Sequence, residues 1–531
     1  MRTLRQAAAL LAAATSAATL LPIATELGLE PVSLPLDDQT RASLGVPPAV
    51  RDAHIVRGPG ALRALLVVGD GTESLRALFS TLASALASRT GSVLWLLLGA
   101  SSSGEVGLAC WPSGTRPPRL TALVARRERI VASDAESLRA LAAASGGDDL
   151  LVHTRWCELL GREALSRRFY RTLEQRVTAL ADSLPRVPSD DRAELGLLAA
   201  SRLLFLSFLE AKGWLDGDRA FLANQFDACM ARGGGFHQRV LLPLWFGTLN
   251  TPIRRRAAAA RAFGAVPFLN GGLFAKSPVE RRHARARLSD EALGALFADV
   301  LGAYRFTARE EQGHWSEASI DPEMLGRAFE SLMVARERRV SGAFYTPQPL
   351  VAHVADAALA ARLRATGLTE ATVARALAHD VLSVAEASKL RGELASLSVL
   401  DPACGSGAFL VYLLERIAEL HRVAGDTRAV AAIRRDVLAT RIHGVDINPT
   451  AVWLCELRLW LSVVIESDET RMSAVPPLPN LDCNVRVGDA LSGDGFAESP
   501  TLVGAPATLA RLRDRYARAA GARKAPLRRA L

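Results

Sequence analysis

The chain has 531 residues, 49% of them hydrophobic, with a formal charge of +9 and a pI near 9.7. That length exceeds a single core and calls for two to four domains, with burial not limiting. Six cysteines (Cys110, Cys157, Cys229, Cys404, Cys455, Cys483) show no metal-ligand spacing and read as reduced thiols of a cytosolic protein. The positive charge suits a polyanion partner. It is a weak signal, because only Lys212, Lys276, Lys389 and Lys524 are lysines and an arginine- and alanine-heavy composition also tracks GC-rich coding.

Met1-Arg2-Thr3-Leu4-Arg5 and the uncharged run to Ala24 have the outline of a secretory signal. Alanine, threonine and serine dominate that run, so a first helix is the expectation. No other uncharged stretch approaches the ~20 strongly apolar residues of a membrane span. Residues 1–150 read as an α/β domain. Leu65–Val68, Val93–Leu98 and Val106–Trp111 are short apolar runs bounded by glycine, serine and proline, which predicts buried strands. Ser133-Asp134-Ala135-Glu136 has the pattern of a capping box opening a helix.

From 151 to 315 the pattern turns helical, with apolar residues three and four apart in Phe169–Val177 and Leu203–Phe208. Pro267–Phe274 predicts a structural glycine turn. Arg281, Arg282, His283, Arg285 and Arg287 form a charged stretch that reads as a solvated face, with phosphate contact as the alternative. Residues 316–365 form a helical linker containing Pro322–Glu330 and then Ser341-Gly342-Ala343-Phe344-Tyr345-Thr346-Pro347. Residues 366–395 open the next segment, 366–496, with a polar, helix-prone insertion.

The most informative stretch follows. Asp401-Pro402-Ala403-Cys404-Gly405-Ser406-Gly407-Ala408-Phe409-Leu410 follows a short apolar, strand-like run (Leu397 to Leu400) and leads into an apolar, helix-like segment. A strand, glycine turn, helix sequence lets a cofactor approach backbone, and the helix start offers free N–H groups. Gly444-Val445-Asp446-Ile447-Asn448-Pro449 and Asn484-Val485-Arg486-Val487-Gly488-Asp489 each place an acid at the end of a strand-like run, where it suits ribose hydroxyls. Asp401 and Asp446 are further apart than the ~20 residues of a dinucleotide fold, which argues against NAD.

Together these four motifs resemble the gamma-type N6-adenine DNA methyltransferases, above all the large single-chain methylases of type IIG restriction-modification systems. The resemblance implies an α/β, Rossmann-like S-adenosylmethionine-dependent core, incomplete here and preceded by the helical and N-terminal α/β domains. It implies cytoplasmic location and double-stranded DNA as substrate. By the same resemblance, Thr346 and the backbone near Pro347 hold the methionine end of the cofactor, and Asp401, Ala403, Cys404, Gly405 and Gly407 line it. Asp446 accepts from the ribose, Ile447 packs on the adenine ring and Asp489 accepts from its amino group. Bland readings stand beside these: Asp446 as a helix cap, Asp489 as a turn residue, Cys404 as a small residue in a tight turn. Trp453 and Trp460, seven apart in Ala451–Leu461, read as core packing.

Two features of the family are not found. Type IIG enzymes often carry an N-terminal nuclease, but residues 1–150 contain no lysine, and Glu210-Ala211-Lys212 falls in a helix-like run. The Asn-Pro-Pro-Tyr/Phe motif that receives a flipped adenine is also absent. Asn448-Pro449-Thr450 is misplaced, and Pro476-Pro477 lacks its asparagine and aromatic. No catalytic residue or metal ligand is therefore assigned. The expectation is an N-terminal portion of a longer enzyme, with residues 497–531 a basic tail leading towards the motif and a second polypeptide supplying it. The alternatives are a bifunctional endonuclease–methyltransferase and a non-catalytic cofactor- or DNA-binding module.

Overall fold

The computed structural model describes residues 3–112, 114, 117–269, 272–306, 315–317, 319–320, 324–325, 328, 346, 348–465, 467, 475–492, 506–520 and 523–530. It is mixed α/β and divides into two compact units, Met1–Gln175 with Ala295–Asp321, and Arg176–Gly294 with Pro322–Leu531.

The first unit is built on a seven-stranded mixed sheet in the order β1 (Ser33–Pro35), β2 (Val50–Arg57), β3 (Leu62–Gly69), β4 (Leu94–Ser101), β5 (Glu105–Cys110), β6 (Leu120–Arg126), β7 (Trp315–Glu317). β3/β4 and β6/β7 are parallel, and the other neighbours antiparallel. All three apolar runs read as strands lie in this sheet. β7 joins it from a distant part of the sequence, which local pattern could not reveal. Phe79, on the Leu75–Arg89 helix, fixes the packing: a Cβ on Gly99 would lie 2.7 Å from its ring, and one on Gly107 3.1 Å. The glycines make room for the ring.

The N-terminal run to Ala24 is two helices, Leu4–Ala13 and Ala17–Glu26. Thr3 with Gln6 and Ser16 with Thr19 form capping boxes at their starts, and Leu11, Leu20 and Ile23 are fully buried. No helix among the described residues is long and apolar enough to cross a membrane. The Ser133 capping box is a correction. The Ala132–Ala143 helix starts after Val131, so Ser133 is already inside it, and Asp134 reaches back to the Val131 N–H at 3.0 Å. The acid does half the work of a box without a hydroxyl cap.

In the second unit the 23-residue helix Ser189–Ala211 is buried along most of its C-terminal half. Glu210 accepts the Leu222 N–H at 2.8 Å and Lys212 donates to the Ser467 carbonyl at 2.8 Å, so both are structural. Arg282 and His283 bind Asp191 at 2.8 and 2.6 Å. Leu269, in the expected glycine turn, accepts the Leu478 N–H at 2.7 Å; Asn270 and Gly271 lie outside the described residues. A parallel three-stranded sheet follows, in the order β10 (Val485–Val487), β9 (Ile442–Asp446), β8 (Val399–Asp401). The basic tail is anchored by Tyr516, which is fully buried and donates to Asp482 at 2.6 Å, while Asn480 donates to the Tyr516 and Ala519 carbonyls.

Candidate functional site

Parallel register brings three strand ends to one edge. Asp401 pairs with Gly444, and Asp446 with Val487, so the loops after β8, β9 and β10 leave side by side. Asp401 closes β8 and Asp446 closes β9, while β10 ends at Val487 and Asp489 follows two residues later. Ligands in open parallel sheets collect outside these carboxyl ends.

The first loop is folded around its glycines. Gly407 has φ +86° and is the N-cap of the Ala408–Val423 helix, and a Cβ there would lie 2.5 Å from Cys455 Sγ. Gly405 has φ +52°, and a Cβ there would meet nothing within 4 Å. One glycine is demanded by packing and the other leaves the backbone approachable. Cys404 N–H donates to the Val445 carbonyl at 2.9 Å, which ties the loop to β9. The Cys404 side chain is buried, and with burial it pushes the Cys455 thiol well up, which suits packing rather than nucleophilic work.

Asp446 holds the site together. Its Oδ2 accepts the Gly405 N–H at 2.8 Å, its Oδ1 the Asn448 N–H at 2.8 Å, and its backbone carbonyl the Gly488 N–H at 2.9 Å. The helix cap is Asn448 instead, whose Oδ1 accepts Thr450 and Ala451 N–H at 2.8 and 3.3 Å. Each carboxylate oxygen of Asp446 keeps lone-pair capacity for a hydroxyl donor. Asp401 accepts the Ala403 N–H at 3.1 Å. Burial, then the charge of Asp446, outweigh that bond and raise its carboxyl above the usual range. Ile447 is 67% exposed beside the site. Asp489 is exposed and accepts the Leu491 N–H at 2.9 Å, so it also makes a turn.

Thr346 is half-buried, while Ser341–Tyr345 and Pro347 lie outside the described residues. The Gln348–Ala365 helix just beyond carries Asp356, which binds Arg416 Nε at 2.9 Å and the Tyr412 hydroxyl at 3.1 Å. Both partners lie on the helix that the glycine turn opens. Arg458 is a residue that sequence reasoning missed. It lies in the apolar Pro449–Ile465 helix, 8% exposed, and its Nη1 donates to the Ser406 carbonyl at 3.1 Å and Oγ at 3.0 Å. An arginine on the buried face of an apolar helix was the available signal. Among the described residues no group of three or more His, Cys, Asp or Glu could hold a metal.

Residues 378–497 match the model of the MmeI DNA-methyltransferase domain. A putative type II restriction enzyme and methyltransferase of Methanocaldococcus jannaschii is 26% identical over 336 residues, 58% of this chain and 28% of that protein. The chain thus spans less than a third of that curated relative. Among solved structures, the type IIL restriction-modification enzyme MmeI in complex with DNA is 20% identical, covering 61% of this chain and 40% of that one, with a TM-score of 0.42. A DrdV–DNA complex is 12% identical over 93% of this chain and 39% of that one, with a TM-score of 0.30.

Proposed function

We propose, for a chain that belongs to the type II restriction-modification methylase family, that it holds S-adenosylmethionine for site-specific methylation of DNA at adenine N6. The observation that carries this reading is the junction at Asp446, which joins the glycine turn after β8 to the loop after β10. A Rossmann-like core would arise as β8, β9 and β10 with their helices.

The residues fit a sulfonium amino-acid nucleoside. Gly405 and Gly407 give it backbone access. Asp401, whose burial and acidic neighbour disfavour its charge, gains from a nearby ammonium group. Asp446 orients vicinal hydroxyls, Ile447 covers one face of a flat ring and Asp489 accepts from an exocyclic amine; Thr346 and Pro347 close the methionine end. The bound cofactor supplies an electrophilic methyl group. The chain's own part is to bind and orient it. The sequence contains no Asn-Pro-Pro-Tyr/Phe, so methyl transfer calls for that motif from a second polypeptide or segment.

Nucleoside mass spectrometry of plasmid DNA tests the chemistry. The chain alone should bind cofactor without labelling DNA, and supplying a segment that carries the motif should yield N6-methyladenine. Methylcytosine would overturn the adenine assignment, and lack of cofactor binding would overturn the whole reading.

A further inference from the structure

Two helices of the second unit, Gln348–Ala365 and Ala408–Val423, pack together along a charged seam. The first starts just beyond Thr346 and the second is capped by Gly407, so each opens at a residue of the proposed cofactor site. Val351, Ala355, Leu359 and Leu363 recur every fourth residue and are buried, which gives the first helix an apolar face. Asp356 follows Ala355 and puts a half-buried carboxylate at the border of that face.

Arg416 is the hub of the seam. Its side chain is 13% exposed, and every guanidinium nitrogen is used. Nε donates to Asp356 Oδ1 at 2.9 Å, and Nη2 to the Leu377 carbonyl at 2.5 Å. Nη1 donates to Glu419 Oε2 at 3.0 Å and to His379 Nε2, which must accept because a guanidinium cannot. The second oxygen of Asp356 takes the Tyr412 hydroxyl at 3.1 Å. Burial, then the charge of Asp356, push that hydroxyl up to about 12, so it keeps its proton and donates.

An exposed ion pair contributes little, and two features separate this network from one. The guanidinium ties together segments distant in sequence, reaching Asp356 across 60 positions, Leu377 across 39 and His379 across 37. His379 also has φ +62°, a left-handed conformation unusual for a side chain with a Cβ. Such strain persists where surrounding contacts enforce it. Here the Arg416 bond holds the ring of the strained residue.

We propose that Arg416 is a positioning residue for the cofactor: through Asp356 it sets the Gln348–Ala365 helix, and with it Thr346, against the glycine turn at Gly405–Gly407. The inference rests on the S-adenosylmethionine reading of the strand ends. Arg416 touches no cofactor atom; its effect passes through Thr346 and falls on the methionine end. The 366–395 insertion gains a part as well, because Leu377 and His379 take the remaining N–H groups of the guanidinium.

Calorimetric titration of the full chain with S-adenosylmethionine and with 5′-methylthioadenosine, which lacks the amino-acid end, tests this. Arg416→Gln should weaken S-adenosylmethionine at least ~tenfold and leave methylthioadenosine within ~twofold. Asp356→Asn should show the same split. The double variant should lose no more than ~twofold beyond the worse single one, because the two residues act as a unit. Equal loss of both ligands marks a general loosening of the fold and overturns the proposal, as does an unchanged affinity for S-adenosylmethionine. Additive losses in the double variant overturn it too, and that cycle decides alone should methylthioadenosine bind too weakly to measure. A parent chain that binds neither ligand overturns the cofactor reading itself, and the proposal with it. Should Arg416→Gln fail to fold by circular dichroism, Tyr412→Phe, which removes one hydroxyl from Asp356, decides by the same split between ligands.

Discussion

The Gly405 backbone N–H donates to Asp446 Oδ2 at 2.8 Å, so one carboxylate fixes the conformation of a turn that begins on a different strand. Asp446→Ala leaves the Gly405 and Asn448 N–H groups without their acceptor. The variant should lose about 1–3 kcal/mol of stability, the range for an unsatisfied buried donor, discounted towards the lower end because both groups are only half-buried. Urea denaturation measures it. An unchanged midpoint would mean the carboxylate does not organise the turn.

Gly407 combines φ +86° with a side-chain position 2.5 Å from Cys455 Sγ. Gly407→Ala should cost about 1–3 kcal/mol from backbone strain alone, with the clash added. Adding Cys455→Ala should recover the clash and leave the strain, a partial rescue visible in Tm. Full rescue would assign the whole cost to the sulfur contact.

Glu456, half-buried, has its carboxyl pushed up to about 8 by burial and then by the charge of Asp482, with Lys524 working the other way. Its folded pKa is raised above the ordinary glutamate value of 4.5. The group therefore binds more protons folded than unfolded, and its contribution is full below pH 4.5 and lost as pH rises through about 8. Glu456→Gln should flatten that slope and exceed the parent in Tm at pH 9 while matching it near pH 5. A parent-like slope in the variant would assign the proton elsewhere.

Arg202 and Glu280 form a buried fork, with Arg202 also donating to the Leu273 and Ala275 carbonyls at 2.7 and 3.0 Å. Burial works against the Glu280 carboxylate, yet Arg202 holds it below its usual range. Arg202→Met should cost about 3–5 kcal/mol because it strands a buried charge. Pairing it with Glu280→Gln should return part of that loss; calorimetric unfolding measures both.

Much of the candidate site was legible because its signals are local. The Asp401, Asp446 and Asp489 motifs carry their own strand, turn and loop, and parallel register does the rest. What was hidden depends on contacts between residues far apart in sequence. Arg458 reaches Ser406 across 52 positions, and β7 finds β6 from beyond the helical region. The Ser133 misreading has another cause. The hydroxyl pattern was right for a cap, but the helix began earlier at Ala132, and only the Asp134 bond to Val131 shows where. Two π-helical turns of the second unit, His237–Leu241 and Pro243–Leu249, have no period that a 3.6-residue pattern would detect.

The most direct measurement is titration of S-adenosylmethionine into the full chain and into Asp446→Ala, once circular dichroism shows both folded. The account predicts saturable one-to-one binding to the parent, weakened at least ~tenfold in the variant. No heat with either protein, or equal affinity for both, would contradict a cofactor site organised by Asp446.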